Sequence, residues 1–336
     1  MSINHVNQLF TVLTETADVI QKSLGLSYLD ALLETTENLI DQKIPADQME
    51  ELGAENTTRL MKAYRKIDLK KMVSEEKRRG FQLAILKGMR EELPQPNHQM
   101  TPDSIGQLMS YFIQLFLPET QRIHLVDLAS GTGNLLSVVT ETLEALQKSV
   151  VAEGVEVDEL LISLASVNFA LQGKNIRLTH QDALTNLLIE PSDVVVADVP
   201  VGYYPQDDIA EQYTSSFKEG HSFAHYLFIE QGMNYLKESG LGLFLVPGSL
   251  FEEETSRQLI QMIQQRGYIQ AIIHLPDAWF KSDTSRKNLI VLQKKGHHAK
   301  QSKEVLFANA PDFKQPSSVT NFLKEIQEWK ESVLGS

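Results

Sequence analysis

Two spacings of apolar residues divide the chain. From residue 1 to about 93 they recur three and four positions apart, as in Leu9, Val12, Leu13, Val19 and Ile20 and again in Leu29, Leu32 and Leu33. That spacing gathers them on one face of a helix. Strand-like runs are missing there, and Pro45 and Gly53 are the main breakers. A helical N-terminal domain, residues 1–95, is expected. Pro94-Gln-Pro96 and Thr101-Pro102 then mark a connector. Beyond about residue 100 short β-branched and aliphatic runs alternate with helical segments. The strand candidates are 123–128, 150–156, 175–179, 193–198, 241–246, 269–275 and 288–294; helices should fill 103–116, 134–148, 158–172, 223–238 and 254–266. Such alternation means a mostly parallel sheet with helices on both faces. The link ahead of 288–294 is too short for a helical crossover, so that run should pair antiparallel. The expected class is α/β, with a Rossmann-like, seven-stranded sheet over residues 96–300 and a partly helical C-terminal extension, residues 301–336.

One strand-to-helix junction carries specific chemistry. Ile123-His-Leu-Val-Asp127 runs through Leu128-Ala-Ser-Gly-Thr-Gly133 into Asn134-Leu-Leu136, the start of an apolar-periodic segment. Gly131 and Gly133 permit a tight turn in which backbone approaches a ligand closely, as where open α/β sheets hold nucleotide-like cofactors. A dinucleotide fingerprint needs a third glycine three residues after the second, where this chain has Leu136. Asp127 ends the strand ahead of the glycines, where it would repel a pyrophosphate and could hold an amino acid's ammonium group. The turn therefore favours S-adenosylmethionine (SAM), whose methionine end is zwitterionic, over NAD. Glu156, 23 positions after Gly133, closes the second strand and could accept both ribose hydroxyl hydrogens. Asp182 follows the third strand and could accept from an adenine amine. Three strand-end acids in succession support cofactor binding more strongly than any one of them.

The fourth strand, Asp193 to Asp198, runs into Val199-Pro-Val-Gly-Tyr-Tyr-Pro205. Asp198, and the backbone carbonyl following it, could accept hydrogens from an exocyclic amine near the cofactor's methyl group. Pro200 shapes this loop. Tyr203 and Tyr204 are the local aromatics that could stack on an extruded base, or else cap the sheet. His221 and His225 flank a helix start and are expected to fix the loop, and Trp279-Phe280 to pack the sheet edge.

Composition narrows the setting. No apolar run approaches the ~20 residues of a membrane span, the amino terminus lacks a signal-peptide pattern, and cysteine is absent. A cytoplasmic location is the default expectation. The nine histidines show no metal-ligand spacing, so no metal is expected, and His297-His298 reads as a solvated pair. A net charge of −13 weighs against a protein that grips nucleic acid by electrostatics alone. Between Arg59 and Arg90, however, eleven basic residues face only Asp68, Glu75 and Glu76; these form either a partner-contacting face or, more simply, a solvated one.

Taken in order, these stretches resemble the gamma-class amino-methyltransferases, in particular the modification subunits of type I restriction systems and their short YtxK-like subgroup. The resemblance rests on His98-Gln-Met-Thr-Pro102, Asp127-Leu-Ala-Ser-Gly-Thr-Gly-Asn134, Gly154-Val-Glu-Val-Asp158, Gln181-Asp-Ala183 and Asp198-Val-Pro-Val201. Further matches are His221 to Glu230, Val246 to Phe251 and Leu275 to Phe280. It implies a seven-stranded class I SAM-dependent methyltransferase fold, with adenine N6 as acceptor. It also implies cofactor contacts from Thr101, Pro102, Asp127, Ala129, Ser130, Gly131, Thr132, Gly133, Asn134, Glu156, Val157, Asp182, Ala183 and Asp198, and catalytic roles for Asp198 and Pro200, with Tyr203 or Tyr204 framing the base. Two features depart from the family. Its tetrapeptide is Asn-Pro-Pro-Tyr or a near variant, and here it reads Asp198-Val-Pro-Val201, without the aromatic. A target-recognition domain has no counterpart in the forty or so residues after 295, so sequence readout would need a separate specificity subunit. The partner implied is nucleic acid, DNA ahead of RNA. The alternatives are a SAM-binding regulator or scaffold docking through its helical region, and a methyltransferase acting on RNA, protein or a small molecule.

Overall fold

The computed structural model describes residues 2–92, 100–252, 255–280 and 285–334. The Pro94–Pro96 connector and His98-Gln99 lie outside the described residues. The chain begins with four helices: α1 (Ile3–Leu24), α2 (Tyr28–Asp41), α3 (Ala46–Tyr64) and α4 (Ser74–Glu92). Leu9, Val12, Leu13, Val19 and Ile20 all fall on the buried face of α1. Pro45 stands immediately before α3, and Gly53 kinks it with φ 76°.

From α5 (Asp103–Phe116) onward the order is β1 (Arg122–Asp127), α6 (Asn134–Ala145), β2 (Ser149–Glu156), α7 (Glu159–Gln172), β3 (Arg177–His180) and β4 (Ser192–Asp198). There follow α8 (Asp207–Ala210), α9 (Ala224–Tyr235), β5 (Leu236–Pro247), α10 (Ser256–Arg266), β6 (Gly267–His274), β7 (Lys287–Lys294), β8 (Leu306–Asn309) and α11 (Pro316–Leu334). The strands form one sheet in the order β3-β2-β1-β4-β5-β7-β6-β8. β7 is antiparallel to both β5 and β6, and the other pairs are parallel. The antiparallel expectation for 288–294 matches this register.

Among the described residues the sheet has eight strands, not seven. The addition is β8, a four-residue edge strand parallel to β6 in which Leu306 and Ala308 are buried and Phe307 is exposed. So short an alternation leaves little periodicity to read. The C-terminal segment therefore completes the sheet, and α11 lays Phe322 and Ile326 into the main core.

The period-two alternation of the central strands separates two cores. Val194 and Val196 of β4 face one, with α5 and α6; Val195 and Ala197 face the other, with α9 and α10. A third core joins the four N-terminal helices and extends onto α7 through Leu164, Val167 and Leu171. The helical region is thus packed onto the sheet domain.

Candidate active site

β1 and β4 are neighbours, but the sheet grows from them in opposite directions. In open α/β sheets a crevice forms at the carboxyl ends of such a strand pair. Here a cleft of about 610 Å³ occupies that place, within the range of roughly 300–1,000 Å³ usual for small-molecule sites. A larger cavity of about 770 Å³ lies beside α4, α6 and α7, away from the strand ends. Glu141 there is taken by the helical region, accepting from Ser74 at 2.6 Å and from Arg78 at 3.0 Å.

The turn after β1 needs both glycines. Gly131 and Gly133 have φ of 52° and 77°, and a Cβ at Gly133 would lie 2.6 Å from the Phe169 ring. Glu156 fixes the turn, accepting from Gly131 N–H at 2.8 Å through Oε2 and from the amides of Val157 and Asp158 through Oε1. Each carboxylate oxygen has two acceptor sites, so Oε2 can still receive a ribose hydroxyl. Ser130 turns inward onto the Val155 carbonyl, and the Thr132 carbonyl accepts from Asn168. Val157 is exposed, on the cleft wall.

Asp127 is fully buried. Its Oδ1 accepts from Ala129 N–H at 3.1 Å, and its Oδ2 has no hydrogen-bond partner within the protein. Burial, reinforced by the charges of Glu156 and Asp198, outweighs the Ala129 bond and pushes its pKa up to about 8. A buried, unmatched acceptor is costly. An ammonium group reaching it beside Leu128 and Ala129, which line the cleft, would satisfy it, and with Glu156 and Asp182 on that cleft the residues fit a zwitterionic adenosyl cofactor.

Asp182 accepts from Leu184 N–H at 2.9 Å and from the Tyr204 hydroxyl at 2.6 Å; the Ala183 carbonyl receives Gln231. Asp198, at the end of β4, is bonded through both oxygens. Thr101 Oγ1 donates to Oδ2 at 2.9 Å, and the Lys287 ammonium bonds Oδ1. Asn134 donates to the Thr101 carbonyl at 2.9 Å and receives Arg78 Nη1 at 3.1 Å. Arg78, Asn134, Thr101 and Asp198 thus form a connected line from the helical region into the cleft, which Pro102 and Pro200 also border.

Neither Tyr203 nor Tyr204 is among the residues that line the cleft. Tyr204 is buried with its hydroxyl on Asp182, and burial and that bond raise its pKa. Tyr203 is exposed and stacks on Phe223, centroids 4.9 Å apart and rings 18° from parallel. Phe223 in turn stacks on His225, a buried residue whose pKa burial lowers to about 4. That histidine is a neutral packing element at ordinary pH. The aromatics that do line the cleft include Trp279 and Phe280, expected at the sheet edge. Trp279 also packs on Phe313, centroids 5.4 Å apart, so it serves both places. Lys287 was not singled out by its sequence. The signal for all three was topological: they follow β6 or open β7, and both points fall at the carboxyl edge of β4 and β5.

The basic run is also thinned. Arg78 is buried among Asp103, Glu141 and Asn134, Arg79 pairs with Glu75, Lys71 with Asp68 and Lys87 with Asp18. Among the described residues no cluster could hold a metal ion, and no helix is long and apolar enough to cross a membrane.

Comparison with known proteins agrees with this geometry. The pattern of the N-6 DNA methylase family matches residues 96–331, and that of the YtxK N-terminal helical domain matches residues 7–89. The chain is 39% identical over 329 residues to the uncharacterized protein YtxK of Bacillus subtilis, covering 98% of each. It is similar to a crystal structure from Listeria monocytogenes described as a candidate class I SAM-dependent methyltransferase, with TM-score 0.91, 43% identity, and 98% and 99% of the two chains covered. A type I restriction-modification methyltransferase subunit from Streptococcus thermophilus shares the fold, with TM-score 0.69, 20% identity, and 95% and 74% covered.

Proposed function

The chain belongs to the N-6 DNA methylase family, with a YtxK helical domain ahead of a class I methyltransferase fold whose cofactor is SAM, and from that premise we propose that it methylates an exocyclic amine, adenine N6 in DNA being the acceptor. The observation that supports this most is the placement of Asp198 on the same cleft as the glycine turn, whose Leu128 and Ala129 line the wall directly after the buried, unmatched Asp127. When bound, the cofactor supplies a methyl group already activated on a sulfonium. Asp127 would hold the ammonium of its methionine end, Glu156 the ribose, and the region of Asp182 the adenine. Asp198 would accept an N–H of the acceptor, directing the nitrogen lone pair into the cleft, and would take the proton shed as the N–C bond forms. Holding these groups in line supplies much of the rate. Phe280 and Trp279 offer the flat face that Val201 does not. Target readout would come from a separate specificity subunit.

A second reading, a SAM-binding regulator without turnover, is favoured by one observation: both oxygens of Asp198 are already bonded within the protein. Asp198→Ala tests the first reading. Transfer should vanish while SAM affinity stays nearly intact, measured by label incorporation and calorimetry. Equal loss of both would make Asp198 structural.

A further inference from the structure

β7 runs against β5 with Lys287 opposite Pro247. An antiparallel strand set among parallel ones begins where its neighbours end, so Lys287 stands at the carboxyl edge of β4. Its ammonium bonds Asp198 Oδ1 and the Thr101 hydroxyl holds Oδ2. The side chains of the ion pair are only 25% and 17% exposed, so solvent screens it weakly. A hydrogen bond between two ions is roughly twice as strong as one between neutral groups. Each oxygen of Asp198 keeps a second acceptor site, but a neutral amine arriving alone meets a carboxylate whose charge is already matched by the ammonium, and is held weakly. An anion on the same molecule changes the balance. A lysine is a mobile point charge that binds phosphate well, and Arg286, which holds Asp277 at 3.0 Å, stands beside it on the same cleft wall. The acids of the cleft come from the end of β2, the end of β4 and the loop after β3; the start of β7 brings the cations.

We propose that Lys287 selects the acceptor: it occupies Asp198 until a phosphate on the incoming molecule draws the ammonium away, so that amine and phosphate must arrive together. The acceptor class is a phosphate-bearing aminated base, either a free nucleotide or a residue in a strand. The inference rests on the amino-methyltransferase reading above and adds to it a reason why nucleosides would be refused.

The test compares adenosine, adenosine 5′-monophosphate and a short adenine-containing oligodeoxynucleotide as ligands. Titration calorimetry is run with saturating S-adenosylhomocysteine on the full chain, on Lys287→Met and on Lys287→Arg. The unaltered protein should prefer the phosphate-bearing ligands, and which of the two it prefers identifies the source of the phosphate. Lys287→Met should bind adenosine about tenfold tighter, equivalent to ~1.4 kcal/mol, and lose the preference; Lys287→Arg should keep it. Should Lys287→Met fail to bind the cofactor product, Asp198→Asn, which leaves the lysine cation in place but removes the charge that holds it at position 198, should show the same gain for adenosine. Unchanged adenosine affinity and unchanged phosphate preference in the variant would overturn the role of Lys287 while leaving the amino-methyltransferase reading standing. Failure of every protein to bind any of the three ligands would overturn that reading and the inference with it.

Discussion

Arg78 belongs to the helical region by sequence and to the cofactor site by its contacts. Its side chain is 3% exposed, forked onto Asp103 by two bonds of 2.9 Å, and bonded to Glu141 at 3.0 Å and Asn134 at 3.1 Å. Burial works against the charge of Asp103, yet the bonds from Arg78 outweigh it and hold that carboxyl below its ordinary value. Arg78→Met removes the cation and leaves two carboxylates without their main partner. Breaking a buried ion pair in this way costs ~3–5 kcal/mol. Asp103 and Glu141 retain 20% and 18% exposure, and Asp103 keeps Gln82 at 3.2 Å, so the loss should fall near the lower end, about 3 kcal/mol. Lysine would not rescue it, because a single ammonium cannot reproduce the fork. Both tryptophans, Trp279 and Trp329, lie in the sheet domain, so urea unfolding followed by fluorescence reports that domain while circular dichroism reports all the helices. The two transitions should separate in the variant, and SAM affinity should fall because Asn134 loses its anchor. A loss under ~1 kcal/mol, the range of exposed ion pairs, with coincident transitions and unchanged SAM affinity, would refute the argument.

Asp127 predicts a pH dependence. Its carboxyl keeps a proton in the folded chain up to about pH 8, whereas the unfolded chain loses it near 3.8. The contribution of Asp127 to apo stability therefore falls as pH rises across that window and levels off above it, at no more than ~1.4 kcal/mol per pH unit. Asp127→Asn should flatten this trend, and SAM affinity in the unaltered protein should rise from about pH 6 to 7.5 as the carboxylate ionises; pH-independent binding in calorimetry would count against the ammonium contact. Phe280→Ala should weaken acceptor binding by ~1–3 kcal/mol and leave SAM binding unchanged, whereas Tyr203→Ala should alter neither. The reverse pattern would return the stacking role to Tyr203.

The alternation of short apolar runs and helical segments was enough to read the parallel sheet, the antiparallel β7 and the place of the glycine turn, because each rests on local periodicity or on connection length. The three strand-end acids were legible for the same reason: Asp127, Glu156 and Asp182 each follow a recognisable run. What escaped depended on partners distant in sequence. Tyr204 is spent on Asp182, 22 positions away, and Arg78 is buried by acids 25 and 63 positions away; neither commitment leaves a local mark. Lys287 was hidden by its position ahead of a strand whose direction, once established, brings it to Asp198. β8 was too short to stand out from the segment around it.

The most direct test of the central claim is transfer of labelled methyl from SAM into a fractionated extract of cells lacking this protein. The account predicts label in DNA, on adenine N6, that disappears with Asp198→Ala. No label in any fraction, from protein that still binds SAM, would contradict it and leave a cofactor-binding regulator as the reading.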